Sequence, residues 1–223
     1  MTPLLERLAR LDCCAASDAL DALGLPGATT GVGRLWPVEQ ALAGVARTVT
    51  AGPKGEGGPA AHIAASAIDS AGEGDVIVVA NGGRLDVSCW GGILTRAARY
   101  RGIRGVVIDG ACRDIGEGEQ LGFPVFGRAV VSVSARGRIV QVAAGEPVLF
   151  AGVRVEQGDL VLADRDGVVF IPRKRAVGVI AFAERIVARE RQMAAAVLAG
   201  EPVTAVMHDT KFPAPDVPGE PSL

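Results

Sequence analysis

The chain has 223 residues, a formal net charge of −2, and a composition that is 49% hydrophobic, 22% charged and 4% aromatic. At roughly 100–200 residues per domain this is one domain with ample apolar material for a core, which excludes wholesale disorder. The mild acidity and the few aromatic rings argue against nucleic-acid binding, which needs a basic surface or stacking platforms, and the longest aliphatic run, Val76–Ala80, is far short of the ~20 apolar residues of a membrane span.

Along the chain, Leu4, Leu5, Leu8 and Leu11 recur on one helical face, and Ser17 is placed to cap a second helix that stops before Gly24. The Gly- and Pro-rich stretch 52–59 reads as a loop and the Ala-rich segment 60–71 as a helix. Gly72-Glu-Gly-Asp75 turns into a buried strand at Val76–Ala80, and Asn81-Gly82-Gly83 turns again. Ile93–Arg101 reads as a helix ended by Gly102, and Gly105–Ile108 as a second buried strand followed by Asp109-Gly110. From 124 to 171 the pattern changes to short strands: Val125–Phe126, Ala129–Val133, Ile139–Val142, Val148–Phe150, Leu160–Ala163 and Val168–Ile171. The longest helix, 173–199, carries an apolar stripe of Val179, Phe182, Ile186, Met193 and Val197, interrupted by Glu190. The tail from Phe212 holds four prolines and cannot continue a helix, so residues 1–211 are assigned to the domain and 212–223 to a tail. Helices and buried strands followed by a β-rich half predict a layered α/β domain with a mixed sheet.

The four cysteines, Cys13, Cys14, Cys89 and Cys112, form no C-x-x-C pair, and the only histidines are His62 and His208, so a thiolate zinc site is not expected. The N-terminus lacks a basic start followed by an apolar stretch, and the expectation is a reduced, cytoplasmic protein. Gly116-Glu-Gly-Glu-Gln-Leu-Gly122 misses the dinucleotide fingerprint and puts acids where a pyrophosphate would sit, which argues against NAD.

The densest chemistry is Val106-Val-Ile-Asp-Gly-Ala-Cys-Arg-Asp-Ile-Gly-Glu-Gly-Glu119, where a buried strand delivers a polar cluster at its C-terminal end. Ligands of open α/β sheets bind at such ends. Arg113 offers a planar fork for a carboxylate, and Asp114 and Glu117 offer hard oxygens for a cation such as Mg2+. The plainer alternative is a loop with a surface Arg–Asp pair. Upstream, Cys89-Trp90-Gly91-Gly92-Ile93-Leu94 leads into a helix whose first amides, at Gly91, Gly92, Ile93 and Leu94, could receive an anion; the alternative is a tight turn. Arg96, Arg99, Arg101 and Arg104 read as a solvated helix face rather than a polyanion site. His62 reads as a packed or surface residue, Cys112 as an inert buried thiol, and Lys54 as part of a Gly-rich loop able to act as a lid.

Together, Gly91-Gly-Ile-Leu-Thr-Arg-Ala-Ala98 and Arg101-Gly-Ile-Arg-Gly-Val-Val-Ile-Asp-Gly-Ala-Cys-Arg-Asp114 resemble the RraA-like proteins. That family includes the class II 4-hydroxy-4-methyl-2-oxoglutarate / 4-carboxy-4-hydroxy-2-oxoadipate aldolases and a protein regulator of ribonuclease E. The likeness extends to Gly74–Val78, Leu121–Phe126, Gly158-Asp159 and Asp166–Pro172, so it covers roughly residues 45–190. The resemblance implies an α/β/β layered fold, assembled as a trimer or a pair of stacked trimers with the site between subunits. It implies that Arg113 grips a small 2-oxo acid, that Asp114 ligates Mg2+ (or Mn2+), and that Glu117 supports the metal's water shell. It also implies that Glu190 reaches the metal site of a neighbouring subunit; on its own pattern Glu190 reads as a stripe-edge acid in water. One position departs: twenty-one residues before Arg113, where the aldolases carry an acid, this chain has Gly92. The implied function is a metal-dependent lyase that forms a pyruvate enolate, with decarboxylation of oxaloacetate easier than a retro-aldol. Two rivals stay open: a non-catalytic regulator binding a ribonuclease or another protein, and a scaffold recruited to other enolate chemistry such as dehydration or cyclisation.

Overall fold

The computed structural model describes residues 2–55 and 61–207. Two short helices open it, α1 (Pro3–Leu8) and α2 (Cys13–Ala22), each started by a side-chain cap. The Thr2 hydroxyl accepts from the Leu5 N–H, and the Asp12 carboxylate accepts from the Ala15 N–H at 2.7 Å. Ser17 therefore lies inside α2 instead of capping it, because the carboxylate of Asp12 already satisfies the free amides of the first turn. There follow β1 (Gly33–Arg34), β2 (Leu42–Pro53), α3 (Ala65–Ser70), β3 (Asp75–Ser88), α4 (Gly92–Tyr100), β4 (Gly105–Cys112) and α5 (Ile115–Gln120). The second half holds β5 (Val125–Gly127), β6 (Ala129–Val130), β7 (Ile139–Ala144), β8 (Val148–Phe150), β9 (Val153–Val155), β10 (Leu160–Ala163) and β11 (Val168–Ile171). A 3-10 turn at Arg173–Arg175 leads into α6 (Ala176–Leu198), and α7 (Val203–Val206) closes the described chain.

Nine strands form one mixed sheet in the order β1-β5-β4-β3-β2-β10-β11, with β6 beside β4 and β7 beside β2. Strands β2, β3, β4 and β5 run parallel, while β1, β7, β10 and β11 join antiparallel. Strand periodicity sorts the core into layers. Ile77, Val79, Val106 and Ile108 pack with residues of α3 and α4, whereas Val76, Val78 and Val107 pack with the separate β8–β9 hairpin. Helices α1, α2 and α6 cover β10 and β11. This is the layered α/β domain with a mixed sheet that the residue pattern predicts.

Several local expectations change. The helix expected at 60–71 shrinks to Ala65–Ser70, preceded by Ala64 in the left-handed region at φ 62°, so His62 and Ile63 lie ahead of it. Asn81-Gly82-Gly83 is not a turn between elements but an irregularity inside β3. Gly82 and Gly83 take φ of 60° and 71°, and the pairing with β4 jumps from Ala80–Asp109 to Arg84–Gly110. Both buried strands thereby run further than their aliphatic segments, to Ser88 and Cys112. Strand β2 was invisible to periodicity, since two glycines and Arg47 break its aliphatic pattern; Arg47 is paired with Asp75 at 2.9 Å. Gly52 and Pro53, expected in a loop, end this strand. Ala129–Val133 shortens to Ala129–Val130. The stripe of α6 is buried from Val179 to Ile186 only; Met193 is half-buried and Val197 exposed. His208 and the Pro-rich tail lie outside the described residues. Among the described residues no helix is long and apolar enough to cross a membrane.

Candidate active site

The site forms where β3 and β4 leave the sheet together. The Cys89 N–H donates to the Ala111 carbonyl at 3.0 Å, and the Arg113 N–H donates to the Trp90 carbonyl at 3.0 Å. Trp90 is buried, stacks on Phe123 (centroids 6.4 Å apart, planes 3° apart) and donates its indole N–H to the Thr95 hydroxyl at 2.9 Å. The first turn of α4 is thus anchored on its inner side.

Asp114 then takes a left-handed backbone, φ 57°, a conformation that aspartate tolerates better than most side chains. Its Oδ2 accepts from the Gly92 N–H at 3.1 Å. Asp114 therefore caps α4 from another element. The Gly92 amide, expected to face a substrate anion, is committed to this cap, and Ile93 and Leu94 supply the remaining amides of the first turn. Gly91 leaves room for both side chains: a Cβ on it would lie 3.0 Å from Asp114 Oδ2 and 3.3 Å from Arg113 Cγ. Arg113 Nε lies 3.4 Å from Asp114 Oδ2, and both side chains are close to half exposed, at 41% and 46%.

These residues line a cavity of about 410 Å3. Gly91, Gly92, Ile93, Leu94, Arg113 and Asp114 all belong to it, so the two stretches singled out in the sequence share one cavity. Lys54, His62, Ser88, Ser134 and Arg136 complete its polar wall. Ser134 and Arg136 carry no local signal; they reach the cavity because β7 pairs with the end of β2. His62, expected as a packed or surface residue, is exposed and lines the cavity, with Nδ1 3.2 Å from the Ile63 carbonyl.

Two expected residues are placed elsewhere within this chain. Glu117 is not among the lining residues. Its carboxylate accepts from Arg96 Nε at 2.6 Å and sits 2.6–2.8 Å from where a Gly92 Cβ would be. It fills the volume that a side chain at 92 would take. Glu190 is exposed on α6, where partial burial and the charges of Asp12 and Asp18 push its carboxyl up from the usual carboxylate range. The arginines of α4 and its C-terminal end do structural work: Arg96 holds Glu117, Arg99 donates to the Leu121 carbonyl at 3.3 Å, and Arg101 pairs with Asp69 at 3.2 Å. Burial pushes the thiols of Cys89 and Cys112 up to about 12, so both are protonated and inert near neutral pH.

The donor set limits which cation fits. Among the described residues no group of three or more His, Cys, Asp or Glu side chains is gathered in metal-binding geometry. Mg2+ keeps most of its waters and needs only one or two protein carboxylates. The hard oxygens of Asp114, oriented by the Gly92 amide at the cavity wall, fit such an ion.

A mixed α/β sheet with a cavity at the exit of its parallel strands describes a class of architecture shared by many chemistries. The family is more specific: the chain belongs to the RraA-like family, described as Aldolase/RraA, whose pattern matches residues 13–170. Protein DlpA of Legionella pneumophila is 31% identical over 217 residues, which is 96% of this chain but 35% of that protein, so the chain spans about a third of that relative. A Halalkalibacterium halodurans protein, named provisionally as a 4-hydroxy-4-methyl-2-oxoglutarate aldolase, is 34% identical over 170 residues, 76% of each chain. The crystal structure of an uncharacterized protein from Pseudomonas syringae pv. tomato is 32% identical and superposes with a TM-score of 0.82, covering 93% of this chain and 100% of that one.

Proposed function

We propose that this chain is a divalent-metal-dependent carbon–carbon lyase that converts a 2-oxo acid to pyruvate through its enolate. The observation that carries the reading is the juxtaposition of Arg113 and an amide-oriented Asp114 on one cavity wall. Arg113 binds the substrate carboxylate through its guanidinium fork. The Ile93 and Leu94 amides, at the positive end of α4, offset the negative charge that develops as the bond breaks. Asp114 is the residue that would hold Mg2+ or Mn2+, and that ion, when bound, supplies Lewis-acid polarisation of the 2-oxo group. With oxaloacetate, the bond from C3 to the distal carboxylate breaks, CO2 leaves, the electron pair passes to C3, and a proton returned there gives pyruvate. A retro-aldol must also remove the proton of the C4 hydroxyl as C4 becomes a carbonyl. Position 92, where the resembled aldolases carry an acid able to act as that base, is glycine in this chain. Decarboxylation, which needs no such base, is therefore the easier reaction, and a retro-aldol rate well above it would refute that order.

The test is pyruvate release from oxaloacetate and from 4-carboxy-4-hydroxy-2-oxoadipate, with Mg2+ and with EDTA. Asp114→Asn keeps an acceptor for the Gly92 N–H and tolerates the positive φ, so it should fold normally. It should lose activity by about a hundredfold or more, as removal of a metal ligand does.

A regulator that binds a ribonuclease or another protein is the second reading. The contact between Arg113 and Asp114 favours it, since a carboxylate held by its neighbour is less available to a cation. At 3.4 Å and nearly half exposed, that contact is weak. Absence of both pyruvate release and Mg2+ binding selects the regulator, and Mg2+ binding without pyruvate selects another enolate chemistry.

The lyase reading includes a trimeric or hexameric ring in which Glu190 reaches a neighbouring cavity. Its support is that α6 runs past the core, leaving Val197 and Leu198 exposed. Sedimentation equilibrium should return a trimer or hexamer of the 22.8 kDa chain, and a monomer would refute the shared site.

A further inference from the structure

A second cavity, of about 650 Å3, opens at the other end of the parallel strands. Leu42 at the start of β2, Ile103 and Arg104 just before β4, and Phe123 just before β5 line it, whereas the first cavity lies where β3 and β4 end. Its apolar lining includes Leu42, Ile103 and Phe123, all buried. Residues 36–41, between β1 and β2, supply another wall, and that wall is tied down. The Trp36 indole N–H donates to the Phe123 carbonyl at 3.1 Å, and the Arg34 guanidinium donates to the Val38 carbonyl at 3.3 Å. The cavity is therefore built into the fold, with a volume inside the ~300–1,000 Å3 range of small-molecule sites.

Its charged groups select the ligand. Arg99 and Arg104 line it against the single carboxylate of Glu39 among the described lining residues, which leaves one positive charge in excess. Arg99 is exposed, and its Nε donates to the Leu121 carbonyl at 3.3 Å, which fixes the guanidinium. It forms no ion pair among the described residues. Its terminal nitrogens are left to fork onto a carboxylate. One excess charge beside an acid suits a monoanion and disfavours a polyanion. The apolar lining suits a ligand whose body is apolar.

Two connections run from this cavity to the first. Helix α4 places Gly92, Ile93 and Leu94 in the first cavity and Arg99 in the second. Phe123 lines the second cavity and stacks on Trp90, which lines the first and donates to Thr95 of α4. We propose that the second cavity is an effector site for a monocarboxylate with an apolar body, anchored by Arg99 and felt at the first cavity through α4 and the Phe123–Trp90 stack. A ligand held by Arg99 acts on the helix whose first turn Asp114 caps, so its binding free energy is coupled to the arrangement of that turn. The inference does not depend on which reaction the first cavity carries out.

The chain has two tryptophans, Trp36 at the second cavity and Trp90 at the first, so two indole N–H signals in the NMR spectrum of the nitrogen-labelled full chain report the two sites separately. Trp36→Phe assigns them. Benzoate is the probe; benzamide lacks its charge and acetate lacks its apolar body. Benzoate should shift both signals along one saturable curve and bind about tenfold tighter or more than either control, the scale of a charge-assisted contact. Arg99→Gln, at an exposed position, should weaken benzoate about tenfold on both signals, and Arg99→Lys should retain most of the affinity. Arg113→Gln should leave the benzoate curve unchanged. A Trp90 signal that moves alone, with the shift lost in Arg113→Gln, puts benzoate in the first cavity and overturns the site. So does the lack of a saturable shift, benzamide binding as tightly as benzoate, or a curve unchanged in Arg99→Gln. A Trp36 signal that moves alone overturns the coupling between the cavities.

Discussion

Two adjacent glycines do different work at the mouth of the cavity. Gly91 leaves room for Arg113 and Asp114, whereas Gly92 donates to Asp114 and leaves room for Glu117 on its other side. A methyl on Gly91 would press on Asp114 Oδ2 and Arg113, side chains that are partly exposed and can give by a few tenths of an ångström. Gly91→Ala should therefore cost less than about 1 kcal/mol in stability. Its metal-dependent pyruvate release should fall about tenfold, because a small misplacement of reacting groups is expensive. Parallel melting and activity measurements check the split, and a large drop in melting temperature with activity retained would contradict it. At this scale Arg113 and Asp114 were legible, since an Arg-Asp pair at the end of an aliphatic run needs no partner from elsewhere. Lys54 and Arg136 were not, since one follows β2 and the other precedes β7, and only the pairing of those strands brings both to the cavity of Arg113 and Asp114. Glu117 had the right residue type, but its direction depends on Arg96 one helix away.

Elements are set by short polar devices that the chain repeats. Gly74-Asp75 and Gly158-Asp159 each start a strand with a positive-φ glycine and an aspartate that accepts from an N–H three residues back, Gly72 at 2.9 Å and Glu156 at 2.8 Å. Helices are tied by charge: Arg7 of α1 donates twice to Glu184 of α6, at 2.8 and 2.7 Å. The Arg7 hydrogen bond, with a smaller charge effect, holds the Glu184 carboxyl below the usual carboxylate range. A carboxyl lowered on folding contributes stability above its unfolded pKa of about 4.3 and loses it as the pH falls through the folded value. Both side chains are about 40% exposed, which keeps the contribution under about 1 kcal/mol. Glu184→Gln should lower stability at neutral pH, and the gap to the wild type should close on acidification below about pH 4. Urea titrations across that range check the sign; a gap that widens in acid would refute it.

At the scale of the whole molecule, one sheet serves three packing layers, and β4 is buried along its full length. Ile108 is fully buried on the α4 side of that strand, and the same strand delivers Arg113. Ile108→Ala should cost about 2–5 kcal/mol, seen as a lower denaturant midpoint at unchanged slope. A loss under about 1 kcal/mol would mean that the core closes over the gap more easily than a packed sheet allows.

The residues by themselves determined the fold class, most strands of the second half, the α4 and β4 segments, and the Arg113-Asp114 pair. Each depends on local periodicity, a local turn, or a motif contiguous in the chain. Only the tertiary structure decided that β2 is an inner strand between parallel β3 and antiparallel β10, since its pattern makes sense only with a ladder on both sides. It also decided that Asp114 caps α4, that Glu117 lies behind Gly92, and that Lys54 and Arg136 join the cavity. These placements arise from contacts between segments far apart in sequence, whose energies the chain realises only once the sheet has brought them together.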